Sequence, residues 1–450
     1  MSDSRPRCGG QTAWLYSRAV HGCSLLAEEA GARMYSRPAW PDATTVHAAL
    51  APAHAVIEER RALYRLGLDL LAPGHDPVPD AQLDNPLLRF RIGEALAGRL
   101  PYVDADDELG PITTELPAGP VSVRVATGAE ANDRLAEAMR VIQTQSLPGR
   151  RPPRLLTGDG EALATVAAGL RKVREVSPAL ADDLLAHVGL LVVLDPATSG
   201  GLISASSRLF PGLVLIDRPS SPYEVAEAII HEGAHVKLFD FAITRNFLGA
   251  DAAEGRVFRP SWSSAAWPVE QVIAAFHAYT CLAQFAQDVE RHGEMSRLGP
   301  DSLLCRARER ATEIGRWLLG EEDALEFDAR WLLHTLMCDE TGPEQLSPVT
   351  RPVPPGHYAL DPLLRLARME ATGRVLAGRP GDPPELHWLD GEAADLAVEL
   401  SQAPAGKSLS EIGAERAAVL AALVEATLVR AASRGGVLSS SDGTFASEGN

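Results

Sequence analysis

Apolar and polar positions follow two different periods along this 450-residue chain. In "AHAVIEERRALYRLGLDLL" the apolar residues recur at helical spacing, so residues 44–71 read as a helix. Similar spacing predicts helices over 129–145, 159–186, 268–290, 300–320, 322–338 and 359–377. "VSVRVAT" (121–127) reads as a strand, and the continuous apolar runs "GLLVVL" (189–194) and "GLVLID" (212–217) read as buried strands. The segment between those runs, "ATSGGLISASSRLFP", reads as a loop. Pro/Gly-rich breaks fall at 71–86, 146–154, 340–358 and 377–386. The predicted fold is α+β and predominantly α-helical, with short buried strands next to one unusual helix. The expected organisation is a helical region over 1–150, a core over 151–340, a helix and linker over 341–383, a small module over 384–433, and a polar, disordered tail over 434–450.

The unusual helix is "SPYEVAEAIIHEGAHVKLFD", Ser221 to Asp240. Ser221 is placed as the N-cap, Pro222 at the first helical position, and Glu224 as the acid of a capping box. Apolar residues surround most of its circumference, which predicts burial. Yet its centre carries His231, Glu232, Gly233 and His235. Burying charge without a partner is costly, and a mid-helix glycine costs about 1 kcal/mol relative to alanine. Histidines four apart lie one above the other, at the spacing with which two imidazoles grip one metal ion. An ion would also favour an ionised Glu232. Gly233 leaves room for a close neighbour or a substrate, and Glu227 is placed either to orient His231 or to face solvent. The alternative reading is a pair of core histidines satisfied by hydrogen bonds.

A third ligand is expected downstream, in "FRPSWSSAAWPVEQVIAAFHAYTCLAQF". Glu270 and His277 are seven apart and face nearly the same way on one helix. Glu270 is also explained as a first-turn acid favoured by the helix dipole, so His277 is preferred, with Glu270 as the alternative. His187, His334 and His357 lack partner spacing and are expected to be structural or exposed.

Composition narrows the classes. The net charge of −18 argues against a nucleic-acid or anionic-membrane partner. Five scattered cysteines without a Cys-x-x-Cys pair suit a reducing compartment. No stretch has the apolar length of a membrane span or a signal-peptide core, so the expected location is cytoplasmic. Oligomeric state is not legible.

The segments "SASSRLFPGLVLID", "AEAIIHEGAHVKL" and "RPSWSSAAWPVEQVIAAFHAY" resemble the HEXXH-motif peptide-modification proteins of ribosomal-peptide biosynthetic clusters. The likeness spans roughly 204–285. It departs at Ser263, where the family usually has arginine, and at Gly233, where a large residue is common. The resemblance implies modification of a ribosomally made precursor peptide, foremost side-chain hydroxylation dependent on iron(II) and 2-oxoglutarate. The far carboxylate of that cosubstrate would need a cation, for which Arg259, Arg245 and Lys237 are candidates. In this reading Glu232 supports the site. In the alternative, a zinc metallopeptidase or other zinc hydrolase, Glu232 is the general base acting on a zinc-bound water. A third reading is a non-enzymatic peptide-binding scaffold. The segment 384–429 has the element order of a small winged-helix-like module, a type that can grip a leader peptide by strand addition; a plain helical cap is the alternative.

Overall fold

A computed structural model describes residues 52–101, 112–146, 149–245, 247–249, 252, 255–337, 353–368, 373–379 and 385–432. The expected tail, 434–450, lies outside them. The chain divides into two compact units, Met1–Cys338 and Asp339–Asn450.

The first unit opens with helices α1 (Ala53–Leu71) and α2 (Pro86–Leu96), followed by the hairpin β1 (Thr113–Ala118) and β2 (Val121–Ala126) and helix α3 (Ala129–Ser146). The helix expected over 159–186 is two: α4 (Gly160–Val176) and α5 (Pro178–Leu184). Pro178 lacks the N–H that would continue α4 and instead starts α5. Then come β3 (Leu190–Leu194), β4 (Ser204–Ser206), β5 (Leu213–Asp217), the long helix α6 (Pro222–Ala242), α7 (Val269–Arg291), α8 (Ala307–Gly320) and α9 (Phe327–Met337).

The five strands form one sheet in the order β1-β2-β3-β5-β4. The pairs β2–β3 and β3–β5 are parallel; β1 and β4 run antiparallel at the two edges. Residues of both the expected N-terminal region and the expected core therefore share one sheet. The strands β3 and β5 are buried on both faces, which is why they are continuous apolar runs. Leu191, Val193, Val214 and Ile216 face the core containing α4 and α6–α9. Leu190, Val192, Leu194, Leu213 and Leu215 face α3. The segment expected to be a loop contains β4. Its small hydroxylated residues carry little strand propensity, and pairing with β5 decides the matter.

Helix α6 is buried around nearly its whole circumference. Ser221 Oγ accepts the Glu224 N–H at 3.2 Å, as the cap predicts. The Glu224 carboxylate reaches one residue further back than expected and accepts the Ser220 N–H at 2.8 Å. Helix α4 crosses α6 at Gly169, where a Cβ would collide with Val225 and the Pro222 carbonyl.

The second unit contains β6 (His357–Leu360), β7 (Arg365–Arg368), β8 (Val375–Arg379), β9 (Glu385–Leu389), helices α10 (Gly391–Ser401), α11 (Leu409–Ile412) and α12 (Ala417–Glu425), and β10 (Val429–Ala432). The helix expected over 359–377 does not form among the described residues of that span, where β6, β7 and β8 lie instead. Pro362 opposes a continuous helix there, and β8 pairs antiparallel with both β7 and β9. Tertiary pairing overrides a helix-like spacing of leucines.

Candidate metal centre

The site is built around α6. The Nε2 atoms of His231 and His235 lie 3.1 Å apart, with the rings edge to face. Two imidazole nitrogens sharing one ion, each about 2.1 Å from it, would stand roughly 3.0–3.4 Å apart. Both histidines are buried. Burial, with a smaller contribution from the Arg310 charge, holds His231 down at about 3. Burial and the neighbouring histidines hold His235 well below its usual range. Both rings are therefore neutral, the form in which imidazole ligates a metal. The pair fits two positions around a divalent ion. Among the described residues no group of three His, Cys, Asp or Glu is arranged to hold one.

Glu232 points to the sheet. Ser204 Oγ donates to Oε1 and Ser206 Oγ to Oε2, each at 2.7 Å. The β4 register explains this. Ser204 and Ser206 stand opposite Ile216 and Val214, on the α6 face, while Ala205 opposite Leu215 faces α3. Burial pushes the Glu232 carboxyl up to about 7, against the opposing effect of the two serine donors.

His277 is fully buried, and its nitrogens have other neighbours: Nδ1 lies 3.0 Å from the Ala234 carbonyl oxygen and Nε2 lies 3.5 Å from Cys281 Sγ. The structure brings it to the α6 backbone, not into a three-residue cluster with the histidine pair. Glu270 lies 3.8 Å from Arg208, on the wall of a cavity of about 330 Å³ beside Phe239. The proposed cosubstrate cations are dispersed. Lys237 is fully buried and paired with Asp183. Arg245 bonds Glu59 and lies over the Phe241 ring. Arg259 is exposed. Gly233 admits Leu184: a Cβ there would lie 3.3 Å from the leucine Cβ. Glu227 accepts from Ser302 Oγ at 2.5 Å and from the Leu303 N–H at 2.7 Å, tying the 302–303 segment to α6 instead of orienting His231. His187 Nδ1 meets Asp240 Oδ2 at 2.7 Å, and His334 Nε2 meets Glu322 at 2.7 Å, so both are engaged structurally. His357 is half-buried on β6.

A cleft of about 490 Å³ reaches His231 from the start of α6; Ser204, Tyr223, Glu227 and Pro300 contribute to its walls. That volume falls in the range of small-molecule sites. Three rings at four-residue spacing run along the helix: His231 meets His235, and His235 stacks on Phe239 at 6.3 Å. The two cavities lie at opposite ends of this ladder.

No protein-family model and no curated protein sequence matches this chain. Among the described residues, no helix is long and apolar enough to cross a membrane.

Proposed function

We propose that this chain is an iron(II)- and 2-oxoglutarate-dependent hydroxylase of a side chain in a ribosomally made precursor peptide. The observation that carries the reading is the division of labour on α6. Two neutral imidazoles converge to 3.1 Å, while both oxygens of the intervening carboxylate accept serine hydroxyls from the sheet edge. A zinc hydrolase needs that carboxylate directed at a metal-bound water. Here Glu232 is suited to hold α6 against β4 and thereby fix the histidines on either side of it. The sequence resemblance over 204–285 supports the same reaction class.

His231 and His235 would hold the iron. With 2-oxoglutarate bound, that ion supplies oxidative decarboxylation to succinate and carbon dioxide coupled to insertion of one oxygen atom of dioxygen into a C–H bond. The chain's own part is to keep two imidazoles unprotonated, to bury them from water, and to admit ligand through the cleft beside His231. Glu227 holds the 302–303 segment in place on that cleft.

The second unit supports a role in peptide recognition. The antiparallel sheet β9-β8-β7 precedes three helices, and an extended leader could add to one of its edges.

The test is anaerobic purification with iron analysis, followed by incubation with a precursor peptide, 2-oxoglutarate and oxygen. A mass gain of one oxygen atom with equimolar succinate is expected. Peptide cleavage would favour the hydrolase, and an unchanged mass with metal-free protein would favour the scaffold. A precursor lacking its leader should be modified far more slowly.

A further inference from the structure

One side of α6 forms a wall of the cleft that reaches His231. Tyr223, Glu227 and His231 follow one another at four-residue spacing, and all three line it. Glu227 is half-buried, one turn before the imidazole, and its oxygens are fixed by Ser302 Oγ at 2.5 Å and the Leu303 N–H at 2.7 Å. Asp217, Glu224 and Asp301 are further carboxylates of the cleft wall. Asp301 is exposed, and its side chain makes no hydrogen bond or ion pair. The single guanidinium among the described lining residues, that of Arg218, is committed elsewhere. Its Nε lies 2.7 Å from Asp159 and its Nη2 3.1 Å from Glu161, neither of which lines the cleft.

Between these charges the wall is apolar. Ala228 and Leu298 contribute to it, and Ile203 stands exposed there. Such a wall suits an aliphatic stem, and four carboxylates against one guanidinium that is already paired suit a cationic head. In a recess of about 490 Å³, partly shielded from water, opposite charge is held more strongly than at an open surface and like charge is turned away. Burial raises the Glu227 carboxyl more than its two donors lower it, and a cation beside it would favour the ionised form.

We propose that this cleft selects a basic side chain of the substrate peptide, with Glu227 and Asp301 holding its cationic head. The inference rests on the peptide-substrate reading given above for the carrier of that side chain, and on the cleft walls for its charge. An acidic side chain would meet four carboxylates and no free counter-cation. A wholly apolar one would desolvate those carboxylates without compensation.

The test measures binding by calorimetry at low salt, with the full chain in chelator so that iron plays no part. The probes are acetylated, amidated Ala-Ala-X-Ala-Ala peptides with lysine, norleucine or glutamate at X, and free 1,5-diaminopentane. Wild type is expected to bind the lysine peptide about tenfold more tightly than the norleucine peptide, and the glutamate peptide most weakly, with the preference shrinking as salt is raised. Asp301→Asn and Glu227→Gln should each reduce the lysine preference by about threefold or more. Asp301→Asn, at an exposed position, serves if Glu227→Gln loosens the 302–303 segment. Failure of wild type to distinguish lysine from norleucine, or a preference unchanged in both variants, would overturn the inference. Tighter binding of the diamine than of the lysine peptide would overturn the assignment to a peptide. Lysine selectivity kept while the precursor gains no oxygen would remove the hydroxylase reading and leave this inference standing.

Discussion

Ser206 donates its hydroxyl to Glu232 Oε2 across 2.7 Å, joining the sheet edge to the centre of α6. With Ser204 on the other oxygen, the carboxylate is held between two helix residues whose rings converge. On the proposed hydroxylase reading, Glu232→Gln should still bind iron and lose about tenfold in hydroxylation rate, because the amide still engages both serines. Loss of a general base would cost about 10²–10⁴-fold. Removing both donors (Ser204→Ala with Ser206→Ala) should move the Glu232 carboxyl above its value of about 7, since those bonds favour the ionised form. Infrared titration of the protonated carboxyl band would read this directly.

The contacts of His277, with the Ala234 carbonyl and Cys281 Sγ, distinguish it from the histidine pair on α6. On the same reading, His235→Ala should abolish stoichiometric iron binding. His277→Ala should retain iron and lower stability by about 1–3 kcal/mol through loss of its contact with the Ala234 carbonyl. Metal analysis beside thermal melts of the two variants distinguishes a ligand from a structural histidine.

Lys237 and Asp183 form a buried ion pair between α6 and α5. Removing one member leaves an uncompensated buried charge, so Lys237→Met should cost about 3–5 kcal/mol. Replacing both, as Lys237→Met with Asp183→Leu, should recover most of that loss. Urea midpoints for the two singles and the double would show the non-additivity.

Asp240 has a pH signature. Burial alone would raise its carboxyl, but Arg60 and His187 outweigh burial and hold it at about 2. A carboxyl depressed in the folded state contributes stability that is fully present above the unfolded value of about 3.9 and is lost as pH falls toward 2. The urea midpoint of wild type should therefore decline over that window. Asp240→Asn should be less stable at neutral pH by about 3–5 kcal/mol and flatter in acid.

Much of the centre was legible locally. Ser221, Pro222 and the four-residue spacing of His231 and His235 depend on neighbours along the chain, and α6 follows them closely. The runs at β3 and β5 announced burial on both faces. The setting of Arg310 was not legible: "ARERATEIGR" reads as an ordinary charged helix, and only the packing of α8 places this guanidinium over the Trp262 and Tyr279 rings. Ser204 and Ser206 were hidden for a related reason, since they gain a strand only through β5.

By itself the sequence determined the capped helix, the four-residue spacing of the two imidazoles and the apolar strands, because helical and strand periods and end caps are set within a few residues. The tertiary structure alone decided which side chains Glu232, His277, Lys237 and Arg310 would meet. Those choices depend on strand register and helix crossings, which bring together residues from 26 to 54 positions apart and leave no local trace.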